Sequence, residues 1–312
     1  MARSRRARFF AAAAVVAFLA PAAPLAQDSP FSFIISVTDQ NGQPVRDLKR
    51  DEIVVTENGV EAEIAKIEPF EMPVQLTVAV DNGPLSTDAL SHYRTGLTGL
   101  VRALPTDVAV TLITMSPQPL MVVRPTTDRI RLLRGINGFA PQEESPRFTD
   151  TLVEFARRYE AEMRRTDGRI DSVPVLLMVS TTVAEAVSYM PEEITRALQF
   201  LERRKAHVHV VMLNVRRGAS PGAALNDGRQ TMIAIPATKV TKGRYETLSN
   251  SNRLTTLLPE MGTEIAALHR RLVNQLFVTA RRQSGRRGPL QNGQVGLTRK
   301  GLTGIVSLDG MP

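Results

Sequence analysis

The fold of this chain is decided by the stretch Leu76-Thr77-Val78-Ala79-Val80-Asp81-Asn82-Gly83-Pro84-Leu85-Ser86. Its apolar first half predicts a buried strand that ends on an aspartate and turns directly into a helix. A carboxylate at the C-terminal end of a parallel strand lies where open α/β sheets place their ligands. We therefore expect an α/β fold in which Asp81 belongs to the binding loops.

Composition limits the classes of protein to which this chain can belong. Its 312 residues, 43% of them hydrophobic, suffice for one large α/β domain and a smaller element. The chain has no Cys, which excludes disulfides, thiolate metal sites, a cysteine nucleophile and a lipid-anchoring cysteine.

Residues 1–26 predict an export signal. A basic segment up to Arg8 precedes the apolar run Phe9 to Ala20, and small residues with prolines follow as far as Ala26. The prolines interrupt this run before the roughly 20 apolar residues that a membrane-spanning helix needs. We expect a cleaved signal, no stable membrane span afterwards, and an extracytoplasmic location, periplasmic or secreted. A retained anchor is the alternative.

Positive charge is modest once that signal is removed. Residues 1–26 carry four Arg and no acidic residue, so the net charge falls from +8 to +4. Segment 281–287, with the sequence Arg-Arg-Gln-Ser-Gly-Arg-Arg, is the one dense basic cluster. It could contact an anionic surface, but without flanking aromatic residues it fits a solvated loop between strands better. We expect no nucleic-acid partner.

The pattern along the chain changes after Pro73. Residues 27–72 predict three short strands that are too small to fold alone. Residues 73–281 alternate apolar strands with amphipathic helices, as in a doubly wound, mostly parallel sheet with helices on both faces. The last of these helices is predicted from Glu260 to Phe277. Residues 282–312 predict a basic loop and C-terminal β strands that pack on the domain.

Several motifs resemble bacterial von Willebrand factor A-related proteins, of the type frequent in Acidobacteria. These are the opening Val37-Thr38-Asp39-Gln40-Asn41-Gly42-Gln43-Pro44-Val45, then Glu57-Asn58-Gly59, Lys242-Gly243-Arg244-Tyr245, and the closing stretch Gln294 to Val306. The resemblance covers nearly the whole predicted mature chain. It implies a secreted protein in which a small β segment precedes an A-type domain with a Rossmann-like sheet.

The family's metal-ion-dependent adhesion site looks degenerate in this chain. The resemblance implies an Asp and two Ser in the first loop, and here Asp81 is followed by Gly83 and Leu85 at the serine positions. The second loop offers Ser145 and Thr149, and the third offers Ser180 where an aspartate is usual. One carboxylate with hydroxyls cannot hold Mg²⁺ firmly, so we expect no cofactor and no metal.

Asp81 has two structural interpretations and one functional one. It can accept hydrogen bonds from amides at the start of the following helix, or pair with a neighbouring Arg such as Arg147. The functional interpretation is direct contact with a ligand. The candidates for partner contact are Asp81, Asn82, Ser86, Arg147 and Thr181. Residues 215–241 are predicted as a long loop near Asp81 that contacts a partner or is a disordered connection.

The sequence favours a binding protein over an enzyme. Gly218-Ala219-Ser220-Pro221-Gly222 matches the nucleophile-elbow pattern of serine hydrolases. However, Pro221 lacks the amide that would complete an oxyanion hole, and no strand directly precedes the segment. We expect a non-catalytic module that binds an unidentified protein through the loops at the C-terminal strand ends. A metal-dependent adhesion module, a Ser220 hydrolase and a self-associating envelope component are the alternatives.

Overall fold

Two six-stranded sheets form the framework of the protein. The computed structural model describes residues 30–166, 171–214, 228–282 and 292–307. One sheet is antiparallel and combines strands from the two ends of the chain, whereas the other is mostly parallel and is formed by the middle of the chain. Strands and helices are numbered here along the chain.

The antiparallel sheet has the order β11-β2-β3-β10-β1-β12. Alternate residues of its strands, among them Phe31, Phe33 and Ile35, enter an apolar core that is separate from those of the parallel sheet. The first and last segments of the chain are thus joined by strand pairing. The strands are β1 (Pro30–Thr38), β2 (Ile53–Glu57), β3 (Val60–Phe70), β10 (Gln275–Arg281), β11 (Gly293–Leu297) and β12 (Thr303–Ser307).

The parallel sheet has the order β6-β5-β4-β7-β8-β9, in which only β6 runs antiparallel to its neighbour. Successive strands are added on one side of β4 and then, from β7 onward, on its other side. The junction between β4 and β7 is therefore a topological switch point. The strands are β4 (Val74–Val80), β5 (Ala109–Thr114), β6 (Leu120–Thr126), β7 (Val173–Thr181), β8 (His207–Leu213) and β9 (Tyr245–Leu248).

In the described part of the chain, six helices cover both faces of the parallel sheet. They are α1 (Leu90–Ala103), α2 (Arg129–Gly138), α3 (Phe148–Arg165), α4 (Pro191–Arg203), α5 (Gly228–Val240) and α6 (Leu254–Leu272). Helices α1, α2 and α6 share one core with Val78 and Val80, and α3, α4 and α5 share another with Ala79. Because neighbouring residues of β4 enter opposite cores, the predicted doubly wound α/β fold is confirmed.

The last helix differs from the predicted span Glu260 to Phe277. Helix α6 begins at Leu254 and contains Pro259. Its first turns bury leucines against α1, and this packing outweighs the backbone cost of a proline within a helix. The helix ends at Leu272 because the following residues form β10, which pairs with both β1 and β3.

The prediction of a structureless segment over 215–241 is wrong for its second half. Residues 228–240 form α5, whose buried face consists of small or polar residues such as Ala234 and Ala237. Pro236 lies inside the helix. The apolar periodicity of this segment is weak, and proline usually ends a helix, which explains why the sequence pattern missed it.

Some predictions concern residues outside the described ranges. These are the export signal 1–26, residues 215–227 with Ser220, and most of the basic segment 281–287. Within the described ranges, every helix is too short or too polar to cross a lipid bilayer.

Candidate functional site

Asp81 and Thr181 meet at the switch point of the parallel sheet. Asp81 directly follows β4, and Thr181 is the last residue of the neighbouring β7. The Asp81 amide donates a hydrogen bond of 2.8 Å to the carbonyl oxygen of Val179, which continues the strand pairing to this point. Open α/β sheets bind their ligands in this crevice, so we consider it the candidate site.

The Asp81 carboxylate is completely buried and accepts three hydrogen bonds. Its Oδ1 accepts from the Gly83 amide at 2.7 Å, and its Oδ2 accepts from the Thr181 amide at 2.9 Å and from the Thr181 hydroxyl. Burial raises the pKa of Asp81, and the hydrogen bonds from Thr181 and Gly83 oppose that rise. The carboxylate is therefore bound by the protein's own donors.

Tyr93 of α1 lies in the same buried region. Burial and the charge of Asp81 raise the pKa of Tyr93 well above its ordinary value. Its hydroxyl group has no hydrogen-bond partner among the residues that the structure describes. Asp81 thus adjoins a largely apolar interior, and this explains why desolvation has the largest effect on its pKa.

The second loop closes directly onto the first at Gly83. A Cβ atom at this position would lie 2.9 Å from the carbonyl oxygen of Glu144 and 3.1 Å from Cδ of Pro146. A serine would therefore require the backbone of the second loop to shift. Gly83 and Leu85, at the two positions where the family resemblance implies serine ligands, offer no side-chain oxygen.

The polar residues of the second loop are held by the segment 182–190. The Thr149 amide donates to Oε2 of Glu185 at 3.0 Å, and the Thr149 hydroxyl also bonds that carboxylate. Asp150 accepts from the Ser188 amide at 2.9 Å and from its hydroxyl at 2.8 Å. Burial raises the pKa of Glu185, and the hydrogen bonds from Thr149 oppose this effect. These contacts connect the second and third loops.

Arg147 does not pair with Asp81, so that expectation is wrong. Its guanidinium donates to the carbonyl oxygen of Ala186 at 3.0 Å and lies 3.8 Å from the Asp150 carboxylate. Its side chain is 28% exposed. The other structural interpretation of Asp81 is partly right, because the amide of Gly83 does donate to it immediately before the turn Pro84–Ala89.

Four of the five predicted partner-contact residues are buried, namely Asp81, Asn82, Ser86 and Thr181. Asn82 donates to the carbonyl oxygen of Ala140 at 2.9 Å, and the Ser86 hydroxyl donates to that of Gly83 at 2.8 Å. These four side chains stabilise the loops and do not reach a macromolecular surface. This corrects the expectation that they contact a partner directly, and among the five only Arg147 remains accessible.

The residues present do not fit a hard divalent cation. Such an ion needs several free oxygen ligands, but the side chains of Asp81, Thr149 and Thr181 are engaged in hydrogen bonds within the chain. Ser180 is buried with its hydroxyl 3.3 Å from the Thr181 carbonyl oxygen, and Ser145 is half-buried. Within the described ranges, no three His, Cys, Asp or Glu side chains cluster in a way that could hold a metal ion.

Sequence reasoning missed Glu185, Ser188 and Gln230. Glu185 bonds a residue 36 positions earlier in the chain, and Gln230 of α5 accepts from the Val183 amide at 3.3 Å. Nothing in the local sequence marks these residues, since each is an ordinary polar residue near the end of an element. Only the approach of α3 and α5 to the segment 182–190 gives them their partners.

An open cavity of about 570 Å³ lies at the same end of the sheet. Leu85, Asp88, Asn214, Asn250 and Ser251 contribute to its walls. It is bounded by the turn before α1 and by the ends of β8 and β9, so it adjoins the candidate site without including the buried Asp81.

Comparisons with known proteins add a likeness of fold. No protein-family model and no curated protein matches this sequence. Among solved structures, the chain is similar to a von Willebrand factor type A protein from Catenulispora acidiphila, at 9% identity and a TM-score of 0.47, over 77% of this chain. The match spans 51% of that longer chain, which is about half of its length.

Two further solved structures are similar at the same low level. The conserved hypothetical protein BatB from Bacteroides thetaiotaomicron is 16% identical over 62% of this chain and 98% of its own, with a TM-score of 0.43. The VWA domain of SpRpn10 is 8% identical over 60% of this chain and 95% of its own, with a TM-score of 0.43. The fold class given above rests on the strand order of this chain and does not depend on these likenesses.

Proposed function

We propose that this chain is an exported, non-catalytic module that binds a protein partner through the loops at the C-terminal ends of its parallel strands. In this proposal, binding requires no metal. The observation that carries it is the Asp81 carboxylate, which accepts hydrogen bonds from Gly83 and Thr181 at the position where an A-type adhesion site holds its cation. Export is proposed from the sequence of residues 1–26 alone.

The hydrogen bonds of the site favour binding by a preformed surface. The first loop is tied to β7 through Asp81, and the second loop is tied to the segment 182–190 through Thr149 and Asp150. Loops that are fixed on a rigid sheet lose little conformational entropy when a partner binds. In an adhesion site that binds a cation, the ion joins the loops; here side chains join them instead.

The exposed residues of the loops around the buried Asp81 are acidic and partly apolar. Glu143 and Glu144 of the second loop and Asp88 beside the 570 Å³ cavity are exposed, and Met190 is 67% exposed. An acidic rim with an exposed methionine is complementary to a partner surface that presents Lys or Arg around an apolar depression. We define the acidic rim as Asp88, Glu143 and Glu144.

Thermal unfolding in EDTA and then in millimolar Mg²⁺, Mn²⁺ or Ca²⁺ tests the metal-independent part of the proposal. A ligand that binds only the folded state raises the unfolding midpoint by mass action. We expect the same midpoint in all four conditions. A saturable rise that is abolished by Asp81→Ala would instead show a functional cation site.

Partner capture tests the binding surface. The immobilised protein is incubated, in EDTA, with envelope proteins of its source cells, and Glu143→Lys/Glu144→Lys is compared with a matched control, Glu61→Lys/Glu63→Lys, on β3 of the other sheet. We expect one protein to be retained by the wild type and the control and lost by the rim variant. Equal retention by both variants would place the contact elsewhere on the molecule.

The hydrolase alternative has no support in the described residues, because Ser220 lies outside them. It is testable on the same material. We expect Ser220→Ala to leave partner capture unchanged, and we expect neither protein to hydrolyse p-nitrophenyl esters. Ester hydrolysis by the wild type that is lost in Ser220→Ala would contradict the non-catalytic proposal.

A further inference from the structure

A second cavity lies at the opposite end of the parallel sheet, between that sheet and the antiparallel sheet. Its volume is about 710 Å³, within the range of small-molecule sites, and sites of this kind occur preferentially between structural units. It is lined by the ends of α4, α5 and α6 together with residues of β8, β10 and β12. This cavity is separate from the loops discussed under the proposed function.

Positively charged side chains converge on this cavity. Lys242 follows α5, Arg271 belongs to the last turn of α6, and both line the cavity together with His207. Neither Lys242 nor Arg271 forms an ion pair with a carboxylate in the part of the chain that the structure describes. Among the described residues of the lining, Glu202, which is exposed, is the one that is acidic.

The environment of His207 shows that the charges of Lys242 and Arg271 act on the same side chain. Burial of the ring lowers the pKa of His207, and the charges of Arg271 and Lys242 lower it further. Lys242 is exposed and Arg271 is half-buried, so their like charges repel one another but are partly screened by water. A negative ligand bound between Lys242 and Arg271 would remove this repulsion.

Two lysines at this cavity occupy backbone conformations that normally select glycine. Lys205 follows α4 and Lys242 follows α5, with φ angles of +53° and +54°. Helices commonly end with glycine in this left-handed conformation, because a side chain there is strained. The two lysines hold equivalent positions at two helix ends and line one cavity, which suggests that their side chains serve a purpose there.

The wall also contains a polar group with an unfilled hydrogen-bonding capacity. Gln275 is 4% exposed, and its Nε2 donates to the Ser36 hydroxyl at 3.2 Å. Its Oε1 has no hydrogen-bond partner among the described residues. That oxygen has almost no accessible surface, so it lies behind the cavity wall and is not a contact for a bound molecule.

We infer that the cavity between the two sheets is a binding site for a small anion, a phosphate or carboxylate compound. Lys242 and Arg271 contact the anionic group. The site is independent of the protein-binding loops, so its failure would leave the proposed function untouched.

The competing explanation is that these cations only offset the negative ends of helix dipoles. Lys205, Lys242 and Arg271 all lie at helix C-termini, where positive charge is favourable. Under that explanation their neutralisation lowers the unfolding midpoint of the protein, and anions have no specific effect. Under the proposal an anion stabilises the wild type by mass action, beyond what ionic strength alone does.

The test uses inorganic phosphate and citrate, with sodium chloride at equal ionic strength as the reference. Unfolding midpoints and NMR titration of the His207 ring are measured for the wild type and for Lys242→Gln/Arg271→Gln. The matched control is Lys239→Gln/Arg270→Gln, which removes the same charges from exposed positions of α5 and α6. The single variants Lys242→Gln and Arg271→Gln replace the double variant if it does not fold.

We expect phosphate or citrate to raise the midpoint and the pKa of His207 in the wild type and in the control. Loss of the charged contacts should weaken this binding by about tenfold or more in the cavity variant. An effect no greater than that of sodium chloride in the wild type would overturn the proposal. So would an effect of equal size in the cavity variant and in the control.

Discussion

The carboxylate of Asp81 accepts hydrogen bonds from both the amide and the hydroxyl of Thr181, a residue 100 positions later in the chain. The amide bond is 2.9 Å long, and both residues are fully buried. These contacts join the ends of β4 and β7 at the switch point of the sheet. A residue pair at the usual ligand-binding position of this fold class therefore serves to stabilise the loops.

Thr181→Val tests the contribution of this contact to stability. The substitution removes a hydroxyl that donates to a buried carboxylate, so we expect the free energy of unfolding to fall by about 1–3 kcal/mol. Thr181→Ser keeps the hydroxyl and is the matched control. Urea unfolding followed by circular dichroism measures both, since the chain has no Trp to report by fluorescence. A Thr181→Val variant as stable as the wild type would mean that the hydroxyl contributes nothing to stability.

The same variant should change the pH dependence of stability. Because burial raises the pKa of Asp81 in the folded state, its contribution to stability is complete below the unfolded pKa, about 3.9, and is lost as pH rises through the folded pKa. Removing the hydroxyl of Thr181 raises the folded pKa further. We expect the destabilisation to be smallest below about pH 4 and largest at neutral pH. A constant difference between pH 3.5 and pH 7.5 would show that Asp81 does not respond to this hydroxyl.

Gly83→Ser tests the closure of the second loop onto the first. The new Cβ would lie 2.9 Å from the Glu144 carbonyl oxygen, so we expect a destabilisation of about 1–3 kcal/mol. Gly138→Ser is the control, because a Cβ there meets nothing within 4 Å. Thermal unfolding of both variants measures the difference. A neutral Gly83→Ser that also gains stabilisation by Mg²⁺ would show that the loop yields to restore a cation site.

The buried ion pair of the antiparallel sheet should be sensitive to loss of one partner. Nε of Arg282 lies 2.6 Å from Oε2 of Glu57, both residues are buried, and the guanidinium lies over the Phe31 ring at 4.6 Å. Arg282→Met leaves a buried carboxylate without this cation, so we expect a loss of about 3–5 kcal/mol. The double variant Arg282→Met/Glu57→Gln should lose less than the sum of the two single variants. Additive losses in a chemical-denaturation cycle would contradict coupling of the two residues.

His269 should contribute more to stability than its acidic partner Asp107. The Nδ1 of His269 accepts from the Val74 amide at 3.1 Å, and the opposite ring nitrogen lies 2.9 Å from Oδ2 of Asp107. His269→Ala leaves the buried amide at the start of β4 unpaired and opens a space in the core, so we expect a loss of about 2–4 kcal/mol. Asp107→Ala should cost about 0–1 kcal/mol, because that side chain is 66% exposed. Equal losses in thermal unfolding would show that the hydrogen bond to Asp107 dominates.

The elements of the fold were largely predictable, because short-range patterns mark them. The continuous apolar run of β7 and the alternating side chains of β1 predicted strands within one or two residues of those observed. Helix α5 was missed because its buried face uses alanines and an internal proline weakens its pattern. The helix is stabilised by packing against the sheet, and this tertiary contact cannot be predicted from the local sequence.

Sequence alone determined the class of fold and the position of Asp81 at the end of a buried strand, since both depend on residues that are neighbours in the chain. Tertiary structure decided what Asp81 does. Thr181 bonds Asp81, and Glu144 approaches Gly83, although both partners lie in distant segments of the chain. These segments meet only because the strand order reverses at β4. The same applies to the convergence of Lys242 and Arg271, because α5 and α6 must end at one cavity before these two charges act on one another.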